Sequence, residues 1–102
     1  MKTVRRRKLE IIVEAPVLGR IEQILREEGV RGWSVFRGVE GRGTSGEWHA
    51  GGLSSAEENR LIIALTTAEA ADQVMGKLSA FFEDYPGIVY ASDVDVLRPD
   101  RF

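Results

Sequence analysis

Two strand–helix–strand patterns lie on either side of a glycine-rich segment, residues 38–55 (GVEGRGTSGEWHAGGLSS). This segment holds six of the chain's eleven glycines and its only histidine, and it shows neither a helical nor an alternating apolar period. It therefore predicts a long loop, and loops beyond about 12–15 residues in compact domains usually have a function or are disordered. We expect the loop to meet the ligand and the flanking patterns to hold its two ends.

The first half of the chain begins with alternating apolar residues that predict a β-strand: Leu9, Ile11 and Val13. Ile12 makes the second face of this strand partly apolar, as in sheets that pack against another subunit. Pro16 suits the first turn of a helix, and Gly29 ends the helical pattern. Residues 33–37 predict a second strand.

The second half repeats this order. Residues 61–65 (LIIAL) are continuously apolar, which is typical of a central strand covered on both faces. Thr66 and Glu69 match a capping box, so we expect a helix to begin there. The apolar stripe of this helix consists of Ala71, Val74, Met75, Leu78, Phe81 and Phe82. Residues 88–96 predict the last strand.

The order β-α-β-loop-β-α-β predicts a ferredoxin-like α+β fold, and 102 residues give room for a single domain, residues 1–102. Its sheet should have four antiparallel strands with both helices on one face. The other face then stays bare, and self-association with closed symmetry is the usual way to cover such a face.

Composition argues against several classes of function. A net charge of −2 provides no basic field for nucleic acid, and the lack of cysteine excludes a disulfide scaffold, a thiolate metal site and a cysteine nucleophile. No run approaches the roughly 20 apolar residues of a membrane span, so we expect a cytoplasmic protein that is not embedded in a membrane. The basic run from Arg5 to Lys8 is either a handle for an anionic partner or, more often, a solvated strand entry.

Candidate catalytic groups are sparse. His49 has no second histidine or carboxylate at metal-ligand spacing, and the acidic pairs Glu57–Glu58 and Asp93–Asp95 are explained by solvation or salt bridges. We therefore do not expect an enzyme or a metal site.

Anion binding is better supported by the sequence. Gly41 and Gly43 flank Arg42 and are free to adopt positive φ, so backbone N–H groups can turn towards an oxyanion beside the guanidinium. Thr44 and Ser45 add hydroxyl donors. The alternative is a glycine-rich tether without a ligand.

Two stretches resemble the PII signalling superfamily. GVRGWSVFRGVEGRG, residues 29–43, is similar to the strand that runs into the mobile T-loop, which here would span about residues 38–58. FEDYPGIVYASDVDVL, residues 82–97, is similar to the closing segment of PII-like proteins of bacterial inorganic-carbon metabolism. These are the carboxysome-associated PII-like proteins and the SbtB-like partners of a sodium-dependent bicarbonate transporter.

The resemblance implies a homotrimer with adenine-nucleotide sites in the clefts between subunits. The strand along the cleft corresponds to Gly32, Trp33 and Ser34. The phosphates would meet the T-loop base, Gly41, Arg42 and Gly43, and the basic positions Arg98 and Arg101. The adenine would be held by Gly87, Ile88 and Val89, and bicarbonate by Arg42, Gly43 and Thr44.

Two departures from nitrogen-type members point to the carboxysome-associated branch, whose members are linked to bicarbonate sensing. The loop lacks a tyrosine for uridylylation, with only Trp48 and His49 in that region, and Ile88 follows Gly87 where those members have a lysine.

The implied function is a non-catalytic regulator that binds ADP or AMP, with bicarbonate beside the phosphates. Its loop would act on an unidentified protein partner, a carboxysome component or a bicarbonate transporter, in the cytoplasm or at a carboxysome. Three alternatives stay open: an SbtB-type transporter regulator that binds cyclic AMP or AMP, a small nucleotide hydrolase that uses loop carboxylates, and a trimeric adaptor without a small ligand.

Overall fold

A four-stranded antiparallel sheet organises the computed structural model, which describes residues 1–43, 46–49 and 58–102. The elements in chain order are β1 (Val4–Glu14), a 3-10 turn (Ala15–Val17), α1 (Leu18–Glu27), β2 (Trp33–Arg37), β3 (Glu40–Gly43), β4 (Gly46–His49), β5 (Asn59–Thr66), α2 (Ala68–Phe81), β6 (Gly87–Val96) and a second 3-10 turn (Pro99–Arg101). The strands of the large sheet lie in the order β2-β5-β1-β6. The ferredoxin-like α+β prediction is therefore confirmed.

Strand β1 lies in the middle of the sheet and has a partner on each side. Leu9 pairs with Ala64 of β5 and with Ala91 of β6, so the three strands share one row of residues. Strand β5 pairs only from Arg7 onwards, whereas β6 pairs from Val4, so the start of β1 extends beyond β5 as a two-stranded ribbon with β6.

The basic run of β1 begins in this ribbon, and two of its arginines pair with acidic residues of β6. Arg5 Nε contacts Asp95 Oδ1 at 3.0 Å, and Arg7 Nη1 contacts Asp93 Oδ1 at 2.9 Å. The expectation of a solvated strand entry with salt-bridged carboxylates fits this geometry. Ion pairs as exposed as these contribute little to stability.

Both helices pack on one face of the sheet and form the core with it. The buried residues are Leu9, Ile11, Val13, Ile21, Leu25, Val30, Ile62, Ala64, Ala71, Val74, Leu78 and Phe81. Met75 and Phe82 pack against this cluster from its edge, so the whole predicted stripe of α2 faces the core. Gly29 adopts φ of +79° directly after α1, as a glycine that ends a helix often does.

Strand β5 is not buried on both sides, contrary to the expectation for LIIAL. Ile62 and Ala64 are buried under the helices, whereas Leu61, Ile63 and Leu65 point to the opposite face and are only half-buried. No element among the described residues covers that opposite face, which we call the open face. Its exposed apolar side chains include Phe36, Ile88 and Tyr90.

A polar cluster lies within the open face. Glu10 Oε1 contacts Lys8 Nζ at 2.9 Å, and the Tyr90 hydroxyl donates a hydrogen bond to Glu10 Oε2 at 2.8 Å. The hydrogen bond from Lys8, followed by that from Tyr90, lowers the pKa of Glu10. The same carboxylate raises the pKa of Tyr90.

The low pKa of Glu10 predicts a pH dependence of folding stability. Because the folded-state pKa lies below the unfolded one, the Glu10 contacts stabilise the protein above the unfolded pKa, and this contribution is lost as pH falls through the folded pKa. From about pH 5 downwards, wild-type protein should therefore lose stability more steeply than a Glu10→Gln variant. Urea unfolding across this range measures both slopes, and parallel curves would contradict the assignment.

Helix α2 begins one residue later than the capping-box pattern indicated. Thr66 is the last residue of β5 and is buried, because its side chain points towards the helices. The N-cap is Thr67, whose Oγ1 accepts a hydrogen bond from the Ala70 N–H at 3.2 Å. Glu69 then lies in the first turn, where its charge is favourable to the helix dipole.

Substitution of the cap tests this assignment. Thr67→Ala should lower the free energy of unfolding by about 1 kcal/mol, because the Ala70 N–H loses its acceptor. Thr67→Ser keeps the hydroxyl and should stay close to wild type. Chemical denaturation at equal protein concentration compares the three proteins, and an equal loss for both variants would reject the cap.

Candidate functional site

The predicted cleft-lining residues lie at the start of β2, on one edge of the sheet. Trp33 is half-buried, and its indole Nε1 donates a hydrogen bond to Glu22 Oε2 of α1 at 2.8 Å. The Arg26 guanidinium lies 5.4 Å from the centroid of the Trp33 ring. Helix α1 thus fixes the indole, while Ser34 is exposed beside it and Gly32 leads into the strand.

The glycine-rich segment contains a second, smaller sheet, so the prediction of an unstructured loop is wrong for part of it. Strands β3 and β4 pair antiparallel from Glu40–His49 to Gly43–Gly46. Their sequence has no apolar alternation to signal strands.

Gly41, Arg42 and Gly43 make up most of β3, and Arg42 is exposed. The two glycines are extended, so the expected positive φ on either side of Arg42 is wrong; in this hairpin it occurs at Gly46, with φ of +116°. The phosphate-facing role of these residues stays a prediction. Thr44 and Ser45, predicted as hydroxyl donors, lie outside the described residues.

The predicted adenine-holding residues begin β6 on the opposite edge of the sheet. Gly87 pairs with Val13, and a Cβ atom at Gly87 would lie only 2.4 Å from Cε1 of Phe82. A side chain at position 87 would therefore displace the Phe82 ring. Ile88 is exposed on the open face, and Val89 packs against the core on the other.

These two groups of predicted site residues cannot meet within one chain. Trp33 of β2 and Ala91 of β6 share a row that also crosses β5 and β1, and three strand spacings separate the two edges by about 14 Å. A group the size of an adenine ring in contact with one edge is therefore out of reach of the other edge of the same chain.

Arg98 and Arg101 lie beyond the far end of β6. They line a shallow depression of ≈ 550 Å³ together with Asp95, Val96, Leu97 and Phe102. Strand β6 separates this depression from Gly87 by about 30 Å, the length of nine residues in extended conformation. In one chain these arginines are thus remote from Gly87 and from the loop base.

A charged cluster joins the two ends of the glycine-rich segment. Glu58 Oε2 accepts hydrogen bonds from Arg37 Nη2 at 3.2 Å and from Arg60 Nη2 at 3.0 Å. Arg37 and Arg60 are direct cross-strand partners, and like charges so placed repel. The carboxylate relieves this repulsion, and the Gly38 N–H bonds to the Asn59 carbonyl at 2.9 Å beside it. We call Arg37, Glu58 and Arg60 the loop-base cluster.

The hydrogen bond from Arg60, with further attraction from Arg37, lowers the pKa of Glu58 against the effect of its partial burial. Sequence reasoning missed this cluster. The available signal was that charged residues end β2 and begin β5, but only the register shows that they meet. Glu57 lies outside the described residues.

Comparison with known proteins identifies the family to which this fold belongs. A family model described as "Nitrogen regulatory protein P-II" matches residues 6–101. The chain belongs to the P-II family. The family is one of regulatory proteins, so the chain is a PII-like regulatory protein.

Solved structures show the same relationship. CPII from Thiomonas intermedia, a nitrogen regulatory PII-like protein bound to ADP, AMP and bicarbonate, is 27% identical with a TM-score of 0.91, over 99% of this chain and 96% of that one. CPII bound to ADP and bicarbonate is 30% identical with a TM-score of 0.87, over 99% and 97%. A PII-like signalling protein from Thermus thermophilus, 19% identical with a TM-score of 0.85 over 100% and 99%, shares the fold.

The resemblance to the PII-like superfamily is thus confirmed, with CPII among the proteins that this P-II chain resembles. In the described ranges, no group of three or more His, Cys, Asp or Glu side chains could hold a metal ion. The helices of the described part are all too short or too polar to cross a membrane.

Gly87 gives a test of the β6 edge of this P-II fold. Gly87→Ala should lower the free energy of unfolding by about 1–3 kcal/mol, because the new methyl group displaces the Phe82 ring. Gly76→Ala in α2 is the matched control: a Cβ there meets nothing within 4 Å, and the change should stabilise by about 0.5–1 kcal/mol. Denaturant unfolding measures both changes, and a neutral Gly87→Ala would show that the ring moves freely.

Proposed function

We propose that this P-II protein is a non-catalytic sensor that binds ADP or AMP, together with bicarbonate, in clefts between the subunits of a homotrimer. The observation that carries the proposal is the likeness to CPII over nearly the whole of both chains, since CPII was solved with these ligands. Residues 1–102 act in this proposal as one PII-like domain, with the T-loop at about residues 38–58.

Assembly follows from what the single chain leaves uncovered. The open face presents Phe36, Ile88 and Tyr90 to solvent, and burying such side chains is favourable by about 25 cal/mol per Å² of apolar surface. Closed symmetry covers this face in every copy at once. It also supplies the second chain that a site built from the β2 and β6 edges requires.

The β6 edge suits a purine base. Strand β6 pairs with β1 alone among the described strands, so its outer backbone groups are unpaired. Backbone N–H and C=O groups at Gly87, Ile88 and Val89 match the acceptor and donor edge of adenine. From the neighbouring copy, Gly32, Trp33 and Ser34 then line the other wall.

The phosphates and bicarbonate bind at the loop base. Arg42 is exposed and offers a planar fork that binds oxyanions in a bidentate manner, beside the backbone of Gly41 and Gly43. Bicarbonate takes the same chemistry from Arg42, Gly43 and Thr44. Arg98 and Arg101 contribute to phosphate binding only from another copy of the chain, given their distance from Gly87 within one copy.

Ligand binding acts on the T-loop through the contacts that the ligand makes with its base. A ligand shifts a conformational equilibrium by its differential affinity for the two states, and the favoured loop state presents a different surface to a protein partner. The partner is a carboxysome component or a bicarbonate transporter, so the protein regulates inorganic-carbon metabolism from the cytoplasm or at a carboxysome.

Calorimetry with ADP and AMP, each with and without bicarbonate, tests this function. Wild-type protein should bind a nucleotide saturably, without releasing phosphate, and should sediment at three times the chain mass of 11.3 kDa. Arg42→Ala should weaken nucleotide binding by about 1.5–3 kcal/mol, because a charged hydrogen bond is lost.

Lys77→Ala serves as the control for Arg42→Ala, since it removes a cation that pairs with Glu27 and Glu28 between the helices. Its nucleotide affinity should equal that of wild type. The proposal is rejected if neither ADP nor AMP binds. Arg42 is not part of the binding site if the nucleotide affinity of Arg42→Ala equals that of wild type.

A further inference from the structure

We infer that Glu58 sets the charge preference of the ligand site, disfavouring nucleotides with more phosphates. The inference rests on the proposed function and adds a residue that the predicted site did not include. It starts from the loop-base cluster, where one carboxylate accepts hydrogen bonds from two guanidinium groups.

The burial of the cluster makes the Glu58 charge effective. The side chain of Glu58 is 16% exposed and that of Arg60 is 18% exposed, whereas that of Arg37 is 67% exposed. Charges shielded from solvent are screened less by salt than exposed ones. Glu40 of β3, by comparison, is exposed, so its field is weaker.

The cluster also lies near the predicted phosphate contacts. Gly38 is held to Asn59 by a backbone hydrogen bond, and the three residue steps from Gly38 to Gly41 span at most about 11 Å. With the separation of Gly38 from Glu58 added, a phosphate at Gly41 lies within roughly 20 Å of Glu58. That separation is inside the Debye length of about 30 Å at 0.01 M salt.

The effect of the carboxylate should grow with ligand charge. At this separation each unit of negative charge on the ligand is repelled enough to change its affinity by about twofold at low salt. ATP carries about two more negative charges than AMP, so removing the Glu58 charge should favour ATP over AMP by roughly threefold to fourfold. A residue with a purely structural role would change all affinities alike.

The experiment compares AMP, ADP and ATP binding to trimeric full-length protein by calorimetry at about 10 mM salt. In Glu58→Gln, the ratio of ATP to AMP affinity should rise roughly threefold, with ADP in between, and the rise should shrink at about 150 mM salt. Glu58→Asp keeps the charge and should keep the wild-type ratio.

Glu27→Gln is the matched control. It removes the same charge from the pair with Lys77 at the end of α1, about 14 Å along the helix from its first residue, Leu18. Its ATP-to-AMP ratio should rise much less than that of Glu58→Gln, because Glu27 lies farther from the loop base and is more exposed. An equal rise in Glu27→Gln would overturn the inference, because net charge alone would then explain the effect.

Arg37→Gln provides a second variant of opposite sign, which is informative if Glu58→Gln proves unstable in thermal unfolding. Loss of this cation should lower the ATP-to-AMP ratio, by a smaller factor because the Arg37 side chain is 67% exposed. If ADP binds wild type but the ratio is unchanged in both variants, the inference fails and the proposed function stands. If no nucleotide binds wild type, both fail.

Discussion

The packing of β1 beneath the two helices is the interaction on which the rest of the structure depends. Leu9, Ile11 and Val13 are almost completely excluded from solvent, and each pairs with a residue of β5 on one side and β6 on the other. Since successive side chains of a strand point to opposite faces, burying this set commits Glu10 and Ile12 to the open face. A one-residue slip in register would exchange the two sets, so the hydrophobic core fixes the register of the whole sheet.

One-sided burial is the physical basis for proposing a site between chains. Two helices cover one face, and the described residues provide no third layer, so apolar side chains such as Phe36 and Ile88 stay exposed until another copy covers them. The central position of β1 and β5 sends β2 and β6 to opposite edges. The proposed ligand site and the proposed assembly therefore depend on the same strand order. The loop-base cluster lies where the β2 edge continues into the glycine-rich segment.

Local patterns predicted most of the fold because each depends on a few neighbouring residues. The apolar stripe of α2, the helix end at Gly29 and the strand at residues 33–37 were all readable in this way. The predictions failed where tertiary context decides. Thr66 resembles a cap but its side chain belongs to the core, so Thr67 caps α2 instead; β3 and β4 pair without any apolar signal.

The sequence by itself determined the order of elements and the ferredoxin-like fold class, because hydrophobic periodicity and turn residues act over short stretches of chain. The family resemblance came from the likeness of residues 29–43 and 82–97 to known members. Tertiary structure alone decided that Arg37 opposes Arg60 with Glu58 between them, and that Gly87 must accommodate the ring of Phe82. Such contacts depend on strand register and on the depth at which a side chain packs. Both are set by the whole core at once, and no local stretch of sequence specifies them.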